Sequence, residues 1–179
     1  MTVSIIYGWP EGNWHGKAMR QYLRQNGYEV TANPQTADVI IAHSAGCFLL
    51  PQNSQAKLVL LIGMPLQTGQ NLAKSTLQKI ELEPKDWWWL KKSCFNTFYL
   101  FTKPVRWIKM NRAWNKPLPK YKNAKYLLIC NLMDAYMDPD ESQNFAKFQG
   151  WSFKTFEGQH DDLWQNPKKY VDEIGINID

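Results

Sequence analysis

Three residues set far apart in the chain could together perform acyl transfer: Ser44, an acid near residue 134, and His160. A serine hydroxyl attacks an acyl carbon only when a base takes its proton. In hydrolases that base is usually a histidine held in one tautomer by a carboxylate. Ser44 lies in Ala42-His43-Ser44-Ala45-Gly46, between an apolar run and a stretch expected to be helical. A sharp strand-to-helix turn exposes a hydroxyl only if the backbone passes close by, so the positions two residues to either side must be small. Ala42 and Gly46 meet that demand. His160 is one of three histidines; His15 falls on a predicted helix, and His43, if the strand pleat persists, faces away from Ser44. Asp134 and Asp138 compete for the acid role, and Asp138 already has a structural task as a helix cap before Pro139, so Asp134 is preferred. Cys47, one turn beyond Ser44, reads either as a second reactive thiol or, preferably, as a small buried hydrophobe.

The elements that must carry these residues are legible as alternating patterns. Apolar, β-branched runs predict strands at residues 3–7, 28–31, 38–42, 58–62, 126–130 and 151–156. The nearly unbroken runs at 38–42 and 58–62 suit strands covered on both faces of a parallel sheet. A helix is expected from an Asn13 cap to Gly27, carrying Trp14, Ala18 and Tyr22 on one face. Asp138-Pro139-Asp140-Glu141 and Asn166-Pro167 announce two more helices. The alternation predicts an α/β architecture: a mostly parallel sheet of about five to six strands flanked by helices.

At 179 residues, with 44% apolar and 21% charged residues, the chain is expected to form one domain with a sizeable core. No stretch approaches the length that spans a bilayer, and the start lacks a basic, apolar leader, so a cytoplasmic protein is expected. Three cysteines without C-x-x-C spacing suggest neither a disulfide framework nor a zinc site. Residues 84–125 hold eleven lysines and arginines against Asp86 alone, a net +10 that leaves −5 on the rest of the chain. Within it, residues 84–118 thread Trp87, Trp88, Trp89, Phe98, Trp107 and Trp114 among the lysines and read as an inserted cap. Such a cap is a solvated basic surface, a lid over an acyl pocket drawing an anionic substrate, acidic carrier or membrane surface, or a nucleic-acid surface. No RNA or DNA module is recognisable, so nucleic acid is not expected.

The stretch around Ser44 resembles the G-x-S-x-G nucleophile elbow of the α/β-hydrolases, with Ala42 in place of the first glycine. Tyr7-Gly8-Trp9 resembles the turn that supplies an oxyanion donor in that superfamily. Asn131-Leu132-Met133-Asp134 is similar to its acid turn, and Gly158-Gln159-His160 to its histidine loop. In length and in His43-Ser44-Ala45-Gly46-Cys47, the nearest likeness is to the small retinoblastoma-binding-protein-9-like serine hydrolases. The resemblance implies Ser44 as nucleophile, Asp134 and His160 as its partners, and the backbone N–H groups of Trp9 and Ala45 as the oxyanion hole. It implies cleavage of an ester or thioester in a small-molecule or carrier-bound acyl substrate, without a metal or organic cofactor; an acyltransferase or amidase would share the triad. A hydrolase-like binding protein that engages an anionic partner through the basic segment is the alternative. About six residues separate the strands at 28–31 and 38–42, fewer than a parallel crossover normally needs. One helix of the usual fold is therefore truncated or absent, and the order of the first strands is left open.

Overall fold

A computed structural model of the chain describes residues 1–8, 16–66, 105, 108, 112, 116–134 and 136–178, the last three by their backbone alone. The expected cap at 84–118 lies outside the described residues except at positions 105, 108, 112 and 116–118, as do Trp9, Asn13, Trp14 and His15.

Six strands form one sheet: β1 (Thr2–Ile6), β2 (Glu29–Thr31), β3 (Val39–His43), β4 (Leu58–Ile62), β5 (Lys125–Asn131) and β6 (Ser152–Phe156), in the order β2-β1-β3-β4-β5-β6. Every pairing is parallel. The unbroken apolar runs are the middle strands β3 and β4, in which every residue is buried, while the edges β2 and β6 are half open to solvent. Each fully buried leucine or isoleucine here contributes about 1.5–3 kcal/mol of hydrophobic stabilisation.

Both faces of the sheet are covered. On one, Val39, Ile41, Leu60 and Ile129 pack against Met19 and Leu23 of α1 (Lys17–Gln25), Trp164 of α2 (Asp162–Gln165), and Tyr170 and Ile174 of α3 (Pro167–Ile178). On the other, Ile40, Ala42, Leu61 and Leu128 meet Cys47 of a 3₁₀ helix (Ser44–Leu49) and Ala146 of α4, the Pro139–Gln149 helix. Helix α4 starts as expected, with Asp138 Oδ1 accepting from the N–H groups of Asp140 (2.9 Å) and Glu141 (3.0 Å). It ends at Gly150, in the left-handed region at φ +72°. Helix α1 is described from an N-cap at Gly16, Gly27 follows its end at φ +81°, and the expected Asn13 cap lies outside the described residues.

The short link between β2 and β3 has a geometric explanation. Thr31 is level with Ser4 of β1 and Val39 is level with Val3, so the chain needs almost no return along the strand direction. It crosses β1 sideways, roughly 10 Å as two strand spacings, which seven residues span without a helix. Asp38 ends the link by accepting from the Thr2 N–H (2.8 Å) and hydroxyl (3.0 Å) with Oδ2. The Thr2 N–H holds its carboxyl below the ordinary value of 3.8. Because β1 lies between β2 and β3, the strand order reverses there, which makes the C-terminal ends of β1 and β3 the topological switch point of the sheet.

Candidate active site

Ser44 follows β3 at this switch point and has φ +54°, the one positive φ of a non-glycine residue among the described residues. The strained conformation turns the chain from an extended strand into the 3₁₀ helix within one residue. Close approach on the far side demands the glycine: a Cβ on Gly46 would lie 2.7 Å from the oxygen of Ile6 and from the Tyr7 backbone. Ala42 is fully buried and replaces the first glycine of the elbow pattern. Ala45 N–H lies in the first turn of the 3₁₀ helix, whose leading N–H groups have no acceptor within the helix. Trp9, the other expected oxyanion donor, lies outside the described residues.

Asp134 and His160 are brought together. His160 Nδ1 donates to Asp134 Oδ2 over 2.7 Å, with the carboxylate side chain fully buried and the imidazole 18% exposed. Asp134 Oδ1 accepts from the Tyr136 N–H (2.8 Å), and the Tyr136 ring stands edge-on to His160 at 5.0 Å. Asp138, the competing acid, is occupied as the N-cap of α4. Behind the pair, Leu132 and Met133 N–H groups donate to the carbonyls of Phe156 (2.8 Å) and Gly158 (3.0 Å), so the acid turn and histidine loop are joined by their backbones. Asn131, in the place of the acid turn's glycine, donates from Nδ2 to the Gln159 carbonyl (2.9 Å) and accepts from the Tyr170 hydroxyl (2.8 Å).

Several participants had no signal in the sequence. Gly63, after β4, has φ +61°, and a Cβ there would approach His160 Cε1 to 3.1 Å and Asp134 Oδ2 to 3.4 Å. It forms the floor beneath the pair. His43, set aside because of the strand pleat, packs its ring 4.8 Å from that of His160. Gly158 must be glycine, since a Cβ would lie 2.7 Å from Asp162 Cγ. Burial would raise the Asp162 carboxyl, but hydrogen bonds from Lys169, Asn166 and Tyr170 outweigh it and hold the group below its ordinary value. Cys47 is fully buried and directs its thiol to the Ala42 carbonyl (3.3 Å), and burial pushes the Cys130 thiol up to about 11, so neither is a poised nucleophile. His43, His160 and Asp161 bring donor atoms within 4.8 Å of one another, the one such group among the described residues. Each ring has a nitrogen already engaged, with the His160 carbonyl or Asp134, so the arrangement is built on hydrogen bonds.

Neither protein-family models nor curated protein sequences match this sequence. Solved structures do match it in shape. Polyneuridine aldehyde esterase superposes with a TM-score of 0.58 at 11% identity, covering 99% of both chains. A thermophilic esterase from Thermogutta terrifontis gives 0.59 at 13%, covering 98% of this chain and 88% of its own. The thioesterase domain of the curacin biosynthetic pathway gives 0.55 at 11%, covering 98% and 90%. The fold is that of the α/β-hydrolases. On this α/β-hydrolase scaffold, the candidate residues occupy the ends of β3, β5 and β6, all at the C-terminal edge of the sheet. Among the described residues no helix is long and apolar enough to cross a membrane.

Proposed function

We propose that the protein is a serine hydrolase that cleaves an ester or thioester through an acyl-enzyme on Ser44. The observation carrying this reading is the 2.7 Å pair of His160 and buried Asp134, beside a strand end whose next residue is the strained Ser44. With Nδ1–H directed to Asp134, His160 presents Nε2 as the base, the tautomer that proton abstraction from a serine requires. His160 takes the Ser44 proton, Oγ attacks the carbonyl carbon, and the Ala45 N–H, together with Trp9 N–H, stabilises the tetrahedral oxyanion. His160 then protonates the departing alkoxide or thiolate. In the second half it activates water, which releases the acid and frees Ser44. The esterases and thioesterase that share the fold favour an ester or thioester over other acyl compounds. The compact chain and the His43-Ser44-Ala45-Gly46-Cys47 elbow favour the retinoblastoma-binding-protein-9-like hydrolases as the nearest group. The +10 charge over residues 84–125 favours an anionic or carrier-bound acyl substrate, for which kcat/KM falls as salt is raised.

Labelling with a fluorophosphonate probe, with the modified residue located by mass spectrometry, tests the reading. Modification of Ser44 in the wild type, absent in Ser44→Ala and His160→Ala, is the expected result. Turnover of a responsive ester should fall by roughly 10⁴-fold or more in either variant. Absence of labelling and turnover in folded wild type would overturn the reading in favour of a hydrolase-like binding protein working through its basic segment.

A further inference from the structure

His43 is the last residue of β3, immediately before Ser44, and is fully buried. An apolar residue would continue the Val39-Ile40-Ile41-Ala42 run at no desolvation cost, whereas a buried imidazole is tolerated only when its polar atoms are used. Its Nε2 lies 2.8 Å from the backbone oxygen of His160, a contact between residues 117 positions apart. A carbonyl can only accept, so Nε2 carries the proton. The ring also stands edge-on to Trp164 at 5.0 Å, which fixes its plane. His160 is thereby flanked by two rings, His43 at 4.8 Å and Tyr136 at 5.0 Å, while Asp134 holds its Nδ1.

We propose that His43 is a positioning residue for hydrolysis, setting the height of the His160 backbone over Ser44. This rests on the Ser44–His160 reading above. His43 and Ser44 are covalent neighbours, so one hydrogen bond and one peptide unit connect base to nucleophile. The backbone route from His160 through β6 crosses β5 and β4 before it reaches β3. A base displaced by about 1 Å loses on the order of 100-fold in rate, so a hydrogen bond that fixes its backbone acts on kcat rather than on substrate affinity.

The test compares His43→Phe, which keeps a ring but no donor, with His43→Gln, whose amide reaches a similar distance and donates. Each is measured for kcat and KM, for the rate of fluorophosphonate labelling at Ser44 and for thermal midpoint. The expected result is a roughly 100-fold lower kcat and labelling rate for His43→Phe, with KM within about threefold, and recovery to within about tenfold of wild type for His43→Gln. Equal losses in the two variants, or wild-type kcat in folded His43→Phe, would overturn the proposal. If His43→Phe does not fold, His43→Leu takes its place. Lack of turnover in the wild type overturns the hydrolase reading and with it a role for His43 in hydrolysis, leaving only the positioning of His160 to test. The His160 Nδ1 proton resonance then decides, since it should shift or broaden in the non-donor variant and hold in His43→Gln. A resonance unmoved in both would overturn positioning.

Discussion

Ser44 holds a conformation that an L-residue adopts only at a cost of about 1–2 kcal/mol, and it does so where the hydroxyl must leave the strand. The usual ranking of small residues should therefore invert here. Ser44→Gly is expected to be about 1 kcal/mol more stable than Ser44→Ala by urea denaturation, with both inactive; a less stable glycine variant would show that no strain resides at this turn. The two acids separate by the same kind of pairing. Asp134→Asn should lower kcat on the order of 10⁴-fold with little change in KM, because an amide no longer fixes the histidine tautomer. Asp138→Ala should cost about 1 kcal/mol of stability while leaving kcat near wild type, as expected of an N-cap. Ser44 and His160 were legible as candidates because an elbow dictates small neighbours at fixed offsets and because few histidines compete. His43 and Gly63 were not. Alternation along a strand tells which face a side chain takes, but not that a loop from more than a hundred residues later will lie on that face.

The strands were the easiest elements to read, since burial on both faces leaves an unbroken apolar run; β3, β4 and β5 fall within one residue of their expected bounds. Helix α4 was legible from its cap alone. Helix α2, four residues long, is too short to show a period, and the turn after Ser44 forms a 3₁₀ helix because Gly46 is pressed against the end of β1. Its register is set by that contact and not by helix propensity. Two glycine-to-alanine changes should therefore act in opposite directions. Gly46→Ala meets the Ile6 and Tyr7 backbone at 2.7 Å and should destabilise by about 1–3 kcal/mol, with loss of Ser44 labelling. Gly175→Ala, in the interior of α3 with nothing within 4 Å of the added methyl, should stabilise by about 0.5–1 kcal/mol. Destabilisation of equal size in both would remove the close-approach argument.

Across the whole molecule, the sheet places the ends of β3, β5 and β6 along one edge, and α3 closes the site from behind. The missing crossover helix was readable from the short link between residues 28–31 and 38–42, but the order of β1, β2 and β3 was not, because nothing local records on which side of β1 each strand joins. The rear support is a chain of polar contacts. Tyr170 of α3 lies between Asn131 of β5 (2.8 Å) and Asp162 of the histidine loop (3.0 Å). Burial pushes its hydroxyl far above the ordinary value, so it remains protonated at any working pH. Asp162 also accepts from Asn166 (2.6 Å) and pairs with Lys169 (2.5 Å). Its folded carboxyl titrates below the ordinary 3.8, so its stabilisation is complete above the unfolded value and disappears as pH falls through the folded one. Asp162→Asn should therefore lower stability by about 1 kcal/mol at pH 7, a figure kept small because solvent reaches Lys169. As pH falls through the lowered folded value the variant and the wild type should converge, both having lost the charge. Urea midpoints at the two pH values measure this. A gap that stays constant would mean that Asp162 supports the loop by shape alone. A gap that closes would show that it is the Asp162 charge that supports the histidine loop from behind.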